Sequence, residues 1–259
     1  MKNHCLLLSI AICLLIVIIS CSPNTIQASS VIWSTDTNED AASLHYVDAE
    51  LSRLTNIDGA YTEIMFPTTA VIIDAGHGGI DGGASYQNIL EKDINLAVAK
   101  KLYAILQSNG IPTILNRTGD YALSEDNDWH KTSSRHLKDL SQRMGLTREI
   151  EHVIFISLHV NAAPNARANG PLVLHQHTGE SSLLANNIQA PMNELFGTSK
   201  HVVPVKTFYL LKYIKSPAVL VELGFISNAA DRERLVTSNE QTKIASAIAS
   251  GVLHYLWIN

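Results

Sequence analysis

Hydrophobic residues in this chain fall into short continuous runs, separated by segments in which they recur with helical spacing. The runs at residues 71–73, 153–158 and 217–221 have the length and composition of buried strands. After the first run, apolar residues between positions 94 and 106 recur at three- and four-residue steps, and Asn109-Gly110 is a typical helix end. Strands that alternate with helices predict an α/β fold, with a single twisted, mostly parallel sheet flanked by helices on both faces.

Weaker patterns predict the remaining elements. Additional strands are expected at residues 113–115, at residues 171–176 as an edge-like strand, and at residues 208–211. Additional helices are expected at residues 137–150 and 181–196. A last helix is predicted after Thr237, because Glu240 follows three residues later and the pair matches a capping box.

Polar residues that can carry chemistry follow three of the predicted strands. His77 lies in a glycine-rich loop after the first strand, whereas His159 and Glu222 directly follow the strands at 153–158 and 217–221. Open α/β sheets bind ligands at the carboxyl ends of their strands. A carboxylate attached to a buried strand is costly to bury unless it is paired, titrated or bound to a metal. We therefore expect the three side chains to converge at one edge of the sheet.

Two imidazoles and a carboxylate with one open position are the ligands of a catalytic zinc site. Glu91 is the expected third ligand beside His77 and His159, because it begins the helix that packs back onto the sheet. Glu222 then stays outside the metal shell as the general base, which takes a proton from water and passes it to the leaving amine. All three cysteines lie within the first 21 residues, so only histidines and carboxylates remain for a metal, and Zn²⁺ is the predicted cofactor.

The amino-terminal part of the chain differs from the rest. Residues 5–20 form an apolar run, so residues 1–21 are predicted to be a signal peptide or a membrane or lipoprotein anchor. Lipidation at Cys21, ordinary cleavage near residues 27–29 and retention as an anchor are the open alternatives. Residues 22–68 are polar and predict a tether, and residues 69–259 form the predicted catalytic domain. We expect an exported, extracytoplasmic protein that contacts a membrane only through its amino-terminal segment.

The net charge and composition argue against some classes of binding partner. A net charge of -5 without a long basic run argues against nucleic acid or an anionic lipid surface as the main partner. With 259 residues and 46% hydrophobic content, the chain can bury one substantial core.

Four motifs carry the candidate residues. They are Ile-Ile-Asp-Ala-Gly-His-Gly-Gly at 72–79, Leu-Glu-Lys-Asp at 90–93, Ile-Ser-Leu-His-Val-Asn-Ala at 156–162, and Val-Leu-Val-Glu-Leu-Gly-Phe-Ile-Ser-Asn at 219–228. In sequence and order they resemble the signature motifs of the zinc-dependent N-acetylmuramoyl-L-alanine amidases, the amidase type 3 family. The run Tyr-Leu-Leu-Lys at 209–212 and the single-domain layout resemble the CwlD-type spore-cortex amidases of that family.

The resemblance implies hydrolysis of the amide between the lactyl group of muramic acid and the L-alanine of the peptidoglycan stem peptide. It implies that His77, Glu91 and His159 are the zinc ligands and that Glu222 is the catalytic glutamate. For the CwlD type it implies formation of the muramic lactam of spore cortex, which is later recognised in germination, and action in the cortex-facing compartment.

Further residues and partners follow from the same resemblance. Asn161 and Lys212 are candidate substrate-binding residues. Peptidoglycan is the expected partner, and because no separate wall-binding domain is seen, an activating or localising protein is a second candidate. The family's arginine pattern is not clean around Arg143 and Arg148, so neither arginine is assigned a role.

Other interpretations differ in class. The glycines after the first strand also resemble a dinucleotide-binding loop, which is disfavoured because the helix begins too late to meet a pyrophosphate. Another zinc hydrolase of the same polymer, a carboxypeptidase or deacetylase, is the nearer alternative, and a non-catalytic wall-binding homologue is a third. His175 and His177 alternate on a predicted strand and are expected to be structural, while His201 is expected to line the groove.

Overall fold

A mixed six-stranded sheet forms the centre of the protein, as seen in a computed structural model that describes residues 69–258. The strands of this sheet are β1 (Ala70–Ala75), β4 (Thr113–Leu115), β5 (Val153–Asn161), β6 (Leu172–His175), β7 (Val203–Pro204) and β8 (Ala218–Phe225). A small separate hairpin consists of β2 (Ser85–Tyr86) and β3 (Ile89–Leu90). The sheet order is β4-β1-β5-β8-β6-β7, and every pairing is parallel except that between β6 and β8. The predicted export segment and tether lie outside the described residues.

Helices cover both faces of this sheet. They are α1 (Glu91–Ser108), α2 (Arg135–Glu149), α3 (Gly179–Phe196), α4 (Tyr209–Tyr213), α5 (Ala229–Val236) and α6 (Ser238–Ile258), with a 3-10 turn at Leu123–Glu125. Alternate residues of β1 point to opposite faces, so Val71 and Ile73 pack with α1, α3 and α6, while Ile72 packs with α2 and α4. This arrangement confirms the predicted α/β fold. Within residues 69–258, no helix combines the length and apolarity needed to cross a membrane.

Several predicted elements were wrong in detail. The segment at residues 208–211 is not a strand but belongs to α4, a helix of five residues that is too short to show a helical period. Strand β6 is not an edge strand, because the two-residue strand β7 pairs with its outer side. Helix α5 was not predicted. Its first turn is capped by Asn228, whose side chain accepts hydrogen bonds from the amides of Ala230 and Asp231.

The capping box predicted for the last helix does not form. The Thr237 hydroxyl donates to the carbonyl of Glu233 in α5, at 2.7 Å, instead of accepting from the first turn of α6. The Glu240 carboxylate pairs with Arg234 and Lys243. Both side chains therefore form interactions at the junction of α5 and α6.

The strands that carry His159 and Glu222 are longer than predicted. Strand β5 continues to Asn161 and β8 continues to Phe225, so neither residue ends its strand. His159 and Glu222 are direct register partners, and the register shifts between His159 and Asn161. Irregularities of this kind are common next to functional sites, where they redirect side chains.

Candidate metal centre and active site

Three predicted ligands meet at the carboxyl edge of the parallel strands. His77 Nε2 lies 3.1 Å from Glu91 Oε1, and His159 Nδ1 lies 2.9 Å from the same oxygen. One ligand atom from each residue can be chosen so that all three lie within 4.8 Å of one another. The two imidazole rings are perpendicular, with centroids 4.9 Å apart. Within the described part of the chain, this is the one such group of histidine, cysteine or acidic residues.

Glu91 is fixed by its place at the first position of α1. Its Oε2 accepts the amide of Ala84 at 2.7 Å, and its Oε1 accepts the amide of Val160 at 2.9 Å. Asn95, one turn further along α1, adds a longer contact of 3.4 Å to Oε1. The carboxylate is therefore held between the glycine loop and β5, with Oε1 directed at both histidines.

The glycine loop passes close to the ligands because two of its residues have no side chain. A Cβ atom at Gly76 would lie 2.5 Å from the His159 ring, and one at Gly83 would lie 2.5 Å from Glu91 Oε2. His77 itself has a φ angle of 62°, a left-handed conformation that residues other than glycine seldom adopt. Side chains at Gly76 and Gly83 would therefore collide with the proposed ligands.

Two buried arginines, Arg117 and Arg143, donate hydrogen bonds to the backbone of the glycine loop. Arg143 of α2 pairs with the buried carboxylate of Asp74 at 2.6 Å and donates to the carbonyls of Ala75 and His77 at 2.9 and 2.8 Å. Arg117 donates to the carbonyls of Ala75 and Gly76 at 2.9 and 3.1 Å. Three successive carbonyls around His77 are thereby fixed by charged donors.

A carboxylate orients the first histidine ring. Asp81 Oδ2 lies 2.8 Å from His77 Nδ1, so Nδ1 donates to Asp81 and Nε2 is the nitrogen that faces Glu91. Carboxylate partners of this kind fix the tautomer and orientation of metal-binding histidines and raise their basicity. Asp81 was not among the predicted site residues, although its spacing of four from His77 within the glycine loop was visible in the sequence.

The ligand cluster is electrostatically coupled. Burial alone would lower the pKa of His77, but hydrogen bonds and charges from Glu91 and Asp81 outweigh burial and raise it to about 9. Burial alone would raise the pKa of Glu91, but its hydrogen bonds to His159 and His77 and their charges hold it far below its ordinary value. Without a metal, a proton on His77 therefore compensates the Glu91 carboxylate.

Glu222 differs from Glu91 although it lies beside the same histidines. Its Oε2 is buried and has no hydrogen-bond partner among the described residues. Burial raises the pKa of Glu222 to about 7, with His159 acting in the opposite direction. A carboxyl group that changes charge near neutral pH and has an unsatisfied oxygen suits proton transfer better than metal binding.

The three-residue cluster fits a divalent ion. Ligands about 2.0–2.1 Å from a tetrahedral zinc ion lie about 3.3 Å from each other. The distances of 3.1 and 2.9 Å from Glu91 Oε1 to the two histidine nitrogens are close to that separation. Two imidazole nitrogens and one carboxylate oxygen are also the donor types found in catalytic zinc sites.

The motifs at this edge belong to a known family. A profile of the N-acetylmuramoyl-L-alanine amidases matches residues 71–254, which include all four proposed metal and catalytic residues. The chain belongs to this amidase family. The family membership predicted from the four sequence motifs is therefore confirmed.

Similar proteins include other N-acetylmuramoyl-L-alanine amidases. The germination-specific N-acetylmuramoyl-L-alanine amidase of Bacillus subtilis is 33% identical over 187 residues, which cover 71% of this chain and 78% of that protein. The CwlD amidase of Clostridioides difficile, solved in complex with the GerS lipoprotein, is 33% identical with a TM-score of 0.69; the match covers 74% of this chain and 100% of that one. The catalytic domain of CwlV from Bacillus (Paenibacillus) polymyxa is 29% identical with a TM-score of 0.63, covering 74% and 99%.

The remaining predicted residues of the amidase domain lie in different places. Asn161 is half-buried two residues beyond His159, and its side chain accepts the amide of Ala162 at 2.8 Å. Lys212 lines a pocket with His177 beside the end of β6. Because β6 is antiparallel to β8, that pocket lies at the opposite edge of the sheet from the ligand cluster. The structure therefore brings Asn161, but not Lys212, to the candidate site.

The other histidines do not join the cluster. His175 is buried at the end of β6 and donates from Nδ1 to the carbonyl of Gln176 at 2.6 Å. His177 is exposed beyond that strand end, so the two do not alternate on one strand as expected. His201 is exposed as well.

The raised pKa of His77 predicts how the metal-free amidase domain responds to pH. Because the pKa is 6.5 ordinarily and about 9 in the folded protein, His77 contributes stability that is fully present below pH 6.5 and lost as pH rises through 9. We expect the melting temperature of the chelator-treated protein to fall across this window. Thermal unfolding between pH 6 and 9.5 checks this, and the His77→Gln variant should show a smaller fall. An equal fall in both proteins would contradict the assignment to His77.

Proposed function

We propose that this chain is a zinc-dependent N-acetylmuramoyl-L-alanine amidase. It would hydrolyse the amide between the lactyl group of muramic acid and the L-alanine of the peptidoglycan stem peptide. The observation that carries the proposal is the convergence of His77, Glu91 and His159 on one point, with Glu222 in register beside His159. Membership in the amidase family supports the choice of bond.

Four side chains have separate roles in the proposed reaction. His77, Glu91 and His159 would hold the ion, which when bound polarises a carbonyl and lowers the pKa of water. Glu222 takes a proton from the attacking water and delivers it to the amine nitrogen as the amide bond breaks. Its pKa of about 7 suits both steps, because the group can accept and release a proton near neutral pH.

The glycine loop positions this machinery. Arg143 and Arg117 fix the backbone carbonyls on either side of His77, and Asp81 fixes the ring. The catalytic groups are therefore held before substrate binds, and little conformational freedom is lost during the reaction.

We further propose a role in spore-cortex maturation and germination, in which removal of the stem peptide prepares muramic acid for lactam formation. The similarity to the germination-specific amidase of Bacillus subtilis supports this role. Deleting the gene in its own organism should yield spores whose cortex lacks muramic lactam. Spores with normal lactam content would contradict the cortex role and leave the amidase activity unaffected.

A protein partner is part of this proposal. The similar CwlD amidase was solved with a lipoprotein, which supports a localising or activating protein for this chain too. Action outside the cytoplasm follows from the location of peptidoglycan, with residues 1–21 as the proposed export or anchor segment and Cys21 as a candidate lipidation site.

Product analysis tests the proposed bond. The purified full chain is incubated with peptidoglycan, with and without added Zn²⁺, and the products are identified by mass spectrometry. We expect stem peptides that begin with a free L-alanine amine, and their loss after chelation. Release of acetate or of single amino acids would instead identify a deacetylase or a carboxypeptidase. Metal content measured on the same preparation would show whether the protein binds zinc.

A further inference from the structure

One face of α2 connects the candidate active site with a second, unassigned pocket. The first pocket, of about 470 Å³, is lined by His77 and Asp81 together with Arg135 and Asp139 of α2. The second, of about 290 Å³, is lined by Trp129 and by residues of the same helix from Gln142 onward. Of the eight α2 residues that line the two pockets, five follow steps of four and three and thus form one stripe: Arg135, Asp139, Gln142, Leu146 and Glu149.

This stripe is about 21 Å long, at a rise of 1.5 Å per residue over its 14 steps. The proposed substrate is a polymer, so a chain bound with one unit at the ligand cluster would extend for several units on either side. The stripe gives one direction in which it can lie.

Trp129 is held rigidly at the far end of this stripe. Its side chain is 48% exposed, yet its Nε1 donates to Gln142 Oε1 at 2.9 Å and its ring meets the His130 ring edge-on at a centroid distance of 5.7 Å. The indole lies over Gly145, where an added Cβ atom would be 3.8 Å from the ring. An exposed aromatic side chain fixed in this way loses little entropy on binding a ligand.

The loop that carries Trp129 is itself fastened to α2. Asn127 is 1% exposed, and its side chain donates to the carbonyl of Lys138 at 2.7 Å and accepts the amide of His130 at 2.9 Å. The position of the indole relative to the helix is therefore set by buried hydrogen bonds.

The chemistry of the second pocket fits a sugar. A sugar ring has a face of C–H groups, which packs on an aromatic ring, and a rim of hydroxyl and amide groups, which need hydrogen-bond partners. The indole offers an aromatic surface for the C–H face. The side chains of Gln142, Arg148 and Glu149 around it offer hydrogen-bond partners for the polar rim. Arg148 and Glu149 carry opposite charges, so the pocket favours a neutral ligand over an acidic peptide.

We propose that Trp129 and its surrounding pocket form a glycan subsite, which binds an N-acetylhexosamine of the peptidoglycan strand several units from the bond that is cleaved. This subsite rests on the proposed amidase function for its ligand and extends that function to the choice of substrate. Strands long enough to reach from the ligand cluster to Trp129 would bind more tightly than short fragments.

Tryptophan fluorescence tests the subsite without any turnover. The chain has three tryptophans, so the full chain with Trp33→Phe and Trp257→Phe reports on Trp129 alone. The matched control carries Trp33→Phe and Trp129→Phe and reports on Trp257, which is 84% exposed. Both are titrated with N-acetylglucosamine oligomers of two to six sugars. We expect a saturable spectral shift in the first protein only. No shift at Trp129, or an equal shift at both positions, would overturn the subsite, whether or not the protein is an active amidase.

Kinetics then separate a glycan contact from a purely structural role. We expect Trp129→Ala to raise KM about two- to tenfold on long glycan strands, with kcat unchanged, which is the size of one aromatic stacking contact. On a single muramoyl peptide, which cannot reach the pocket, the variant should behave like the parent, as should Trp257→Ala on both substrates. An equal loss on long and short substrates would mean that Trp129 only supports the fold, and would overturn the proposal.

Discussion

The Glu222→Gln variant is expected to keep its metal and to lose turnover by a factor on the order of 10² or more. Glutamine has the size of glutamate but cannot take a proton from water or deliver one to the leaving amine. The three proposed ligands lie on other elements, and the hydrogen bonds that orient them within residues 69–258 do not involve the Glu222 side chain. Metal content by elemental analysis and initial rates on peptidoglycan are measured on the same preparation.

The control for this variant is Glu151→Gln, which removes an exposed carboxylate outside the site. It should be as active as the parent. In the parent, activity should rise with pH as Glu222 ionises, because it must be ionised to act as a base; its pKa is about 7 without a metal and falls when a cation binds beside it. A fully active Glu222→Gln protein would remove the residue from the mechanism, and a metal-free one would make Glu222 a ligand.

The residues of the candidate site could be selected from sequence because each stands next to a strong local pattern. His77 and His159 follow or end hydrophobic runs, and Glu91 begins an amphipathic helix after a glycine-rich loop. In a parallel sheet, the carboxyl ends of strands share one edge, so local patterns sufficed to place the groups together. The hydrophobic run before Glu222 predicted the strand that carries it. It did not predict the extension of that strand to Phe225, which depends on pairing with β5.

Elements that depend on distant partners could not be predicted in this way. Helix α4 has five residues, and its buried residues Leu210 and Leu211 match a short strand as well as a helical turn. Arg143 has an ordinary position on an amphipathic helix, and its partner Asp74 lies 69 residues earlier. Only the packing of α2 on the sheet reveals that this arginine holds the loop of His77.

Asp74 and Arg143 form the buried ion pair on which we expect the fold to depend most. Asp74 is 0% exposed and Arg143 is 3% exposed. Burial alone would raise the pKa of Asp74, but the charge of Arg143 and hydrogen bonds from Ser157 and Arg143 lower it below its ordinary value. Asp74 of β1 also accepts a hydrogen bond from Asn116, which follows β4. With Ser157 of β5 and Arg143 of α2, it therefore links three strands of the sheet to this helix. The charge of this carboxylate is tolerable only while its partners remain.

The Arg143→Met variant should therefore lower the free energy of unfolding by about 3–5 kcal/mol, the usual cost of leaving one charge of a buried pair uncompensated. Methionine keeps much of the side-chain volume, so the loss reports on charge more than on packing. Denaturant unfolding of the metal-free protein at pH 7 measures it. Arg148→Met, which removes an exposed arginine from the same helix, should cost far less.

A double substitution and a pH series distinguish charge from packing. If the cost comes from the uncompensated Asp74 carboxylate, adding Asp74→Asn to Arg143→Met should recover part of the lost stability. In the parent, the lowered pKa of Asp74 gives stability that is present above its ordinary pKa of 3.8 and lost as pH falls. Without Arg143, burial should raise the pKa of Asp74, so the difference in stability between variant and parent should shrink as pH is lowered from 7 to 4. Two results together would contradict this role for the charge of Asp74: a stability difference that stays constant with pH, and a double variant that is no more stable than Arg143→Met alone. Arg143 would then act through packing and through its bonds to the loop carbonyls.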